Sequence, residues 1–295
     1  MRPRFVLNLP FRLAAKIQKK NLDDPILRQF VPLQDEEVMD PNFKKDPVAD
    51  ALSCKTPKLL HKYAGRVLLV VTSACAMHCR YCFRQNFAYD SSHKEFEHEL
   101  DFIAKDSSIH EVILSGGDPL SLDDQILDSV LQRIAAIPHV RKIRFHTRFP
   151  VGIPERIDAP FLAVLEKVPI QMWFVIHANH PRELDSDVLA ALKIIQKLGI
   201  PVLNQSVLLK GVNDNADILI ELSKKLSDHG IIPYYLHQLD QVQGAAHFEV
   251  KEDQGLDLIS ALKIQLPGYA VPKYVREIPG MPSKAACPSP IPASP

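Results

Sequence analysis

Three cysteines stand within eight residues, in Cys75-Ala-Met-His-Cys79-Arg-Tyr-Cys82. Thiolates are soft metal ligands, and three on one short loop can each hold one iron of a 4Fe-4S cubane. No fourth cysteine lies nearby, so one iron keeps an exchangeable position, which a chelating substrate needs. A structural zinc site is the competing reading, but such sites normally close with four ligands, and His78 would have to serve from inside the loop. Cys54 and Cys287 lack partner spacing and read as ordinary thiols. Five cysteines cannot staple 295 residues, so the clustering points to ligation in a reducing compartment rather than to disulfides.

The elements around this loop give it a place. From residue 66 onward, short Val/Ile/Leu-rich runs alternate with stretches of helical apolar spacing. The runs are 66–73, 111–115, 142–147, 171–177, 201–207 and 231–237. Helical stretches follow in EFEHELDFIAKD, LDDQILDSVLQRIAAI, APFLAVLEKV, SDVLAALKIIQKLG, NADILIELSKKLSDHG and QGLDLISALKIQL, with Gly199 and Gly230 as stops. The runs are continuously apolar rather than alternating, which implies parallel strands crossed over by helices and buried on both faces. A full barrel of eight units needs about 250 residues. The repeat spans residues 66–265, so an α/β fold with a partial (β/α)6 barrel is expected, open on one side. Residues 1–65 read as a helical and extended lead, and 266–295 as a C-terminal segment ending in a disordered Pro-rich tail. The cysteines follow the first strand, at the end where barrels keep their chemistry.

Bulk properties exclude several classes. Lys plus Arg and Asp plus Glu are balanced at 35 each, which disfavours a nucleic-acid binder. No apolar run approaches the roughly 20 residues that span a bilayer, and arginines break the apolar positions of MRPRFVLNLPFRLAAK, unlike a secretory leader. A cytoplasmic protein with a small-molecule substrate is expected.

After the second strand comes Ser115-Gly116-Gly117-Asp118-Pro119, where glycines let backbone approach a ligand closely. Together with CxxxCxxC and Tyr81 as the aromatic before Cys82, this turn resembles the radical S-adenosylmethionine (SAM) superfamily. The segments HKYAGRVLLVVTSACAMHCRYCFR, LSGGDPL, IPHV, HANHPRE, LNQSVLLKGVNDN and PYYLHQLDQVQGAAHF further resemble lysine 2,3-aminomutases over residues 15–284. The likeness is greatest to the short branch that makes (R)-β-lysine for elongation factor P. Longer members carry a zinc-binding extension and a ligand cysteine after GVND, where this chain has Asn215.

The resemblance implies three cofactors: the 4Fe-4S cluster on Cys75, Cys79 and Cys82, SAM, and pyridoxal 5'-phosphate (PLP). It implies that the adenosyl radical from SAM takes a hydrogen from C3 of lysine while PLP carries the migrating nitrogen. SAM contacts fall on Tyr81, Gly116, Gly117, Asp118 and, more weakly, Gln205. The PLP lysine falls on Lys284 in Gly280-Met281-Pro282-Ser283-Lys284, although Ala-Ala-Cys follows where the family has Thr-Pro. Lys62, Tyr63 and Arg66 fall on further PLP contacts, Arg84 on the arginine that forks the substrate carboxylate, and Asp240 and Glu277 on the acids around its distal ammonium. His146, Arg148, His177, His180 and His237 sit at strand ends facing the expected cavity. The implied partners are L-lysine, an electron donor such as flavodoxin or ferredoxin, and elongation factor P with its lysine ligase; a homo-oligomer is left open. An aminomutase acting on another amino acid or in lysine catabolism, and a non-catalytic iron-sulfur module, are the alternatives.

Overall fold

The computed structural model describes residues 5–89 and 95–288. Ten strands lie side by side in chain order in one sheet. They are β1 (Cys54–Thr56), β2 (Leu59–Tyr63), β3 (Arg66–Thr72), β4 (Glu111–Gly116), β5 (Lys142–Thr147), β6 (Gln171–His177), β7 (Val202–Val207), β8 (Ile232–His237), β9 (Lys273–Arg276) and β10 (Ala285–Ala286). From β3 to β9 every neighbour is parallel, while β1–β2–β3 and β9–β10 are antiparallel. The six runs read from sequence are β3 to β8, and they form the expected open barrel. The sheet also runs past both ends of the 66–265 repeat.

Helices α1 (Phe11–Ala15), α2 (Pro25–Phe30) and α3 (Asp50–Ser53) belong to the lead. In the repeat follow α4 (Glu97–Lys105), α5 (Asp124–Ala135), α6 (Phe149–Gly152), α7 (Ala159–Glu166), α8 (Ser186–Lys197), α9 (Ala216–Asp228) and α10 (Glu252–Gln265). All six helical stretches anticipated from the apolar spacing are present, and Gly199 and Gly230 end α8 and α9 with φ of 76° and 70°. Only glycine adopts that left-handed conformation without steric cost.

Local chemistry starts each crossover. Asp185 accepts from Val188 N at 3.0 Å and so caps α8, leaving Val188, Leu192 and Ile195 to bury their side chains against the sheet. Phe145 of β5 stacks on Phe174 of β6 at 4.6 Å between centroids, both fully buried. Each such ring contributes roughly 1.5–3 kcal/mol by leaving water.

One expectation about the strands changes in detail. β5 alternates: Ile143 and Phe145 enter the helix-side core, while Arg144 and His146 line the interior cavity. The inner face is half polar because it is a ligand-sized space rather than a second hydrophobic layer.

The lead packs onto the barrel mouth. Leu13, Ile26 and Phe30 form a small core with Met77 from inside the cysteine loop, and Asp24 caps α2 through Ile26 N and Leu27 N. No helix among the described residues is long and apolar enough to cross a membrane. The anticipated disorder of the Pro-rich tail concerns residues 289–295, which lie outside the described residues.

Candidate active site

β3 delivers the cysteine loop, and three separate contacts hold it. Asn8 Nδ2 donates to Cys75 O at 2.9 Å, and His78 N to Asn8 O at 2.9 Å. Arg80, 1% exposed, donates to Glu36 Oε1 at 2.7 Å and ion-pairs Glu36 Oε2. From the barrel side, Gly117 N and Asp118 N each donate at 2.7 Å, to Thr72 O and Ala74 O respectively. A Cβ on Gly117 would stand 2.2 Å from Ala74 O, so the Gly-Gly turn is needed for backbone to meet backbone. Asp118 is buried and accepts from Thr147 Oγ1 and Arg148 N at 2.7 Å, Phe149 N at 3.0 Å and Leu120 N at 3.1 Å. Its carboxylate therefore knits the ends of β4 and β5 together.

Burial acts on two of the three thiols, Cys75 and Cys82. Burial raises Cys75, and Asp118, Cys82 and Cys79 raise it further. Burial and Cys79 push Cys82 up to about 11. Ionising Cys75 and Cys82 in this enclosure requires compensating positive charge, as clustered iron supplies. No three His, Cys, Asp or Glu side chains among the described residues converge as on a single ion. Thiolates bound to different irons of one cluster need not converge so tightly, and the donor set fits that group.

The loop opens into a cavity of about 1600 Å³ lined by every residue assigned above to the cluster, to SAM, to PLP or to the substrate, and by His146, Arg148, His177 and His237, though not by His180. Gln205 lies in register with His177 on one side and Tyr235 on the other. Away from the thiols the lining is a chain of charges. Lys284 Nζ lies 2.6 Å from Glu277 Oε2; Glu277 Oε1 accepts from Tyr63 at 2.5 Å and lies 3.2 Å from Lys62 Nζ. Lys62 also pairs with Asp50 at 3.0 Å, and Asp50 with Arg84 Nε at 2.8 Å. Burial works against the Glu277 carboxylate, but Lys284, Tyr63 and Lys62 hold it down to about 2. Asp240 has no side-chain hydrogen bond among the described residues, and burial pushes it up to about 7 against the pull of Lys284. Arg66 lies over the Tyr63 ring at 4.7 Å and has no ion pair among the described residues. The Nε2 atoms of His146 and His177 are buried without a partner, and burial lowers both rings, His177 to about 3. Burial thus favours the neutral imidazole at both positions.

Comparison with known proteins bears on this arrangement. The profile of the Radical SAM superfamily matches residues 69–222. L-lysine 2,3-aminomutase of Escherichia coli (strain K12) is 43% identical over 283 residues, which is 95% of this chain and 82% of that protein. That of Haemophilus influenzae is also 43% identical, over 96% of this chain and 85% of the relative. The chain belongs to the lysine 2,3-aminomutase family. The structure of Streptococcus suis SuiB bound to S-adenosylmethionine shares the fold, with a TM-score of 0.54 at 15% identity over 74% of this chain and 51% of that one. This aminomutase relative is thus a radical SAM enzyme of the isomerase class, whose family chemistry uses a 4Fe-4S cluster and SAM.

For an aminomutase, the most informative placement is Lys284. A lysine in a Pro-rich terminus is ordinarily solvated, yet here the β9–β10 pairing, Ala285 opposite Arg276, turns it into the cavity. Tyr81 lines the same cavity with its ring, while its hydroxyl is taken up by Arg148 and by Asn179 Nδ2 at 2.6 Å. His180 is turned aside to cap a helical turn, where it accepts from Arg182 N at 3.2 Å. Two features escaped the sequence reading. Asp50, 2% exposed, lies in an aperiodic part of the lead with no motif around it. Glu183, fully buried, receives the Arg148 guanidinium at 2.6 Å; its only sequence signal is its place in HANHPRE.

Proposed function

We propose that this chain isomerises L-lysine to β-lysine by moving the amino group from C2 to C3, with PLP as an additional cofactor. The observation that carries the reading is one cavity lined both by the three-thiol loop and by a lysine amine, Lys284, paired with a buried carboxylate. The reduced cluster with SAM supplies a carbon radical, and PLP an electron sink, for C–H bonds that no side-chain base can deprotonate.

The chain's own residues bind and orient. Arg84 has its Nε on Asp50 and its Nη1 at 3.5 Å from Ser115 Oγ, which fixes the guanidinium plane and leaves the remaining outer N–H groups for a carboxylate. Asp240 is an acid without a cation, suited to a distal ammonium, and excludes substrates that bring an apolar or anionic end there. Holding a flexible amino acid at both ends fixes which C–H faces the radical. Lys284 is the attachment point for PLP; Glu277, which the resemblance assigns to the distal ammonium of the substrate, here holds the Lys284 amine and is itself held by Tyr63, and Lys62 with Arg66 provides cations for the phosphate. Gly116, Gly117 and Gln205, beside the cysteine loop and at the end of β7, are assigned to SAM. An electron donor of the flavodoxin or ferredoxin kind reduces the cluster, and the β-lysine serves the ligase that modifies elongation factor P.

The test is anaerobic reconstitution with iron, sulfide, SAM, PLP and L-lysine, with β-lysine and 5'-deoxyadenosine measured together. Both products are expected. 5'-Deoxyadenosine without β-lysine would overturn the substrate, and neither product from cluster-loaded protein would overturn the activity.

A further inference from the structure

The three sulfurs of the cysteine loop are not equivalent. Arg148 Nη1 donates to Cys79 Sγ at 2.8 Å. Cys82 Sγ receives the backbone N–H of Arg84, and no donor reaches the Cys75 sulfur among the described residues.

Arg148 is held in its aim through both terminal nitrogens, while its buried Nε has no hydrogen-bond partner among the described residues. Its Nη2 donates to Gln29 Oε1 at 2.7 Å and Glu183 Oε2 at 2.6 Å. Its Nη1 also donates to the Tyr81 hydroxyl, and its guanidinium lies 4.6 Å from the Phe30 ring centroid. Glu183 is locked in turn, with Oε1 accepting from Asn179 N and His180 N at 2.9 Å and Gln29 Nε2 at 3.1 Å. The chain thus invests a buried ion pair, set just beyond the ends of β5 and β6 and braced by Gln29 of the lead, in pointing one N–H at one sulfur.

We propose that Arg148 is a positioning residue for the cluster, whose charged N–H on the Cys79 sulfur raises the cluster's reduction potential and so eases its loading with an electron. Hydrogen bonds to cluster sulfurs and nearby charge are among the protein's means of setting such potentials. A fixed cation stabilises the reduced, more negative cluster over the oxidised one. The inference rests on the cluster reading of Cys75, Cys79 and Cys82, and is independent of which substrate the enzyme takes.

The experiment is a redox titration of the reconstituted chain, followed by electron paramagnetic resonance without SAM or lysine. R148M combined with E183Q removes both buried charges together, so neither is stranded. Its reduced-to-oxidised ratio at fixed poise is expected to fall about tenfold, equivalent to about 59 mV for one electron. R148K should recover part of the shift. Q29L keeps the ion pair but releases one of its anchors, and should shift the ratio the same way by less. An unchanged midpoint in cluster-loaded R148M/E183Q overturns the proposal. If that variant takes up no cluster, Q29L decides on the same criterion. Wild-type chain without a cluster spectrum would remove the premise itself, an outcome distinct from loss of lysine turnover.

Discussion

At the scale of single residues, Asp240 and Lys284 separate the function from its alternatives. Asp240 sits at about 7 through burial, so below neutrality it carries a proton and cannot pair with an ammonium. Because kcat/KM reports the free enzyme, it should rise with pH through neutrality, and Asp240→Asn should abolish that limb. Stranding one partner of a buried charge contact costs about 2–5 kcal/mol, so the variant should lose roughly 30- to 5,000-fold in kcat/KM for lysine; near wild-type turnover would refute the assignment. Lys284→Ala should lose the visible absorbance of bound PLP while keeping the iron-sulfur spectrum, because Lys284 is not part of the thiol loop. Persistence of the PLP band would move the attachment elsewhere. The gathering of the three cysteines at one cavity was legible because their spacing puts them on one short loop after a strand. Asp50 and Glu183 were not, since a buried acid acquires meaning only from the cations that folding brings to it.

At the scale of elements, the Gly116–Gly117 turn joins two strands and a loop whose backbones touch. Gly117→Ala places a Cβ within 2.2 Å of the Ala74 carbonyl, and backbone on both sides leaves no flexible side chain to yield. Overpacking of this kind typically costs about 1–3 kcal/mol. Thermal unfolding and iron content should both fall, because the displaced segment carries Cys75. Unchanged iron retention would show that the loop absorbs the shift. β3 to β8 and their helices could be read ahead because each is long enough for its apolar periodicity to speak. β1, β2, β9 and β10 could not: they run two to five residues, too few for a periodicity to show, and pairing rather than composition makes them strands.

At the scale of the whole molecule, net charge is zero, so no long-range field steers a charged amino acid inward. Arg84 and Asp240, the proposed recognition charges, line an interior cavity and are little screened by salt. KM for lysine should therefore change less than about twofold between 0.05 and 0.5 M salt; a steep dependence would indicate recognition at the surface. The open sheet that admits ligands has a second consequence. A barrel that fails to close leaves two free edges, and such edges invite the strands of other chains. Here the outermost strands are the shortest, three residues in β1 with Lys55 at its centre and two in β10. Among the described residues neither edge offers a ladder long enough to template another chain, so an enzyme that must stay open need not become a seed for polymerisation.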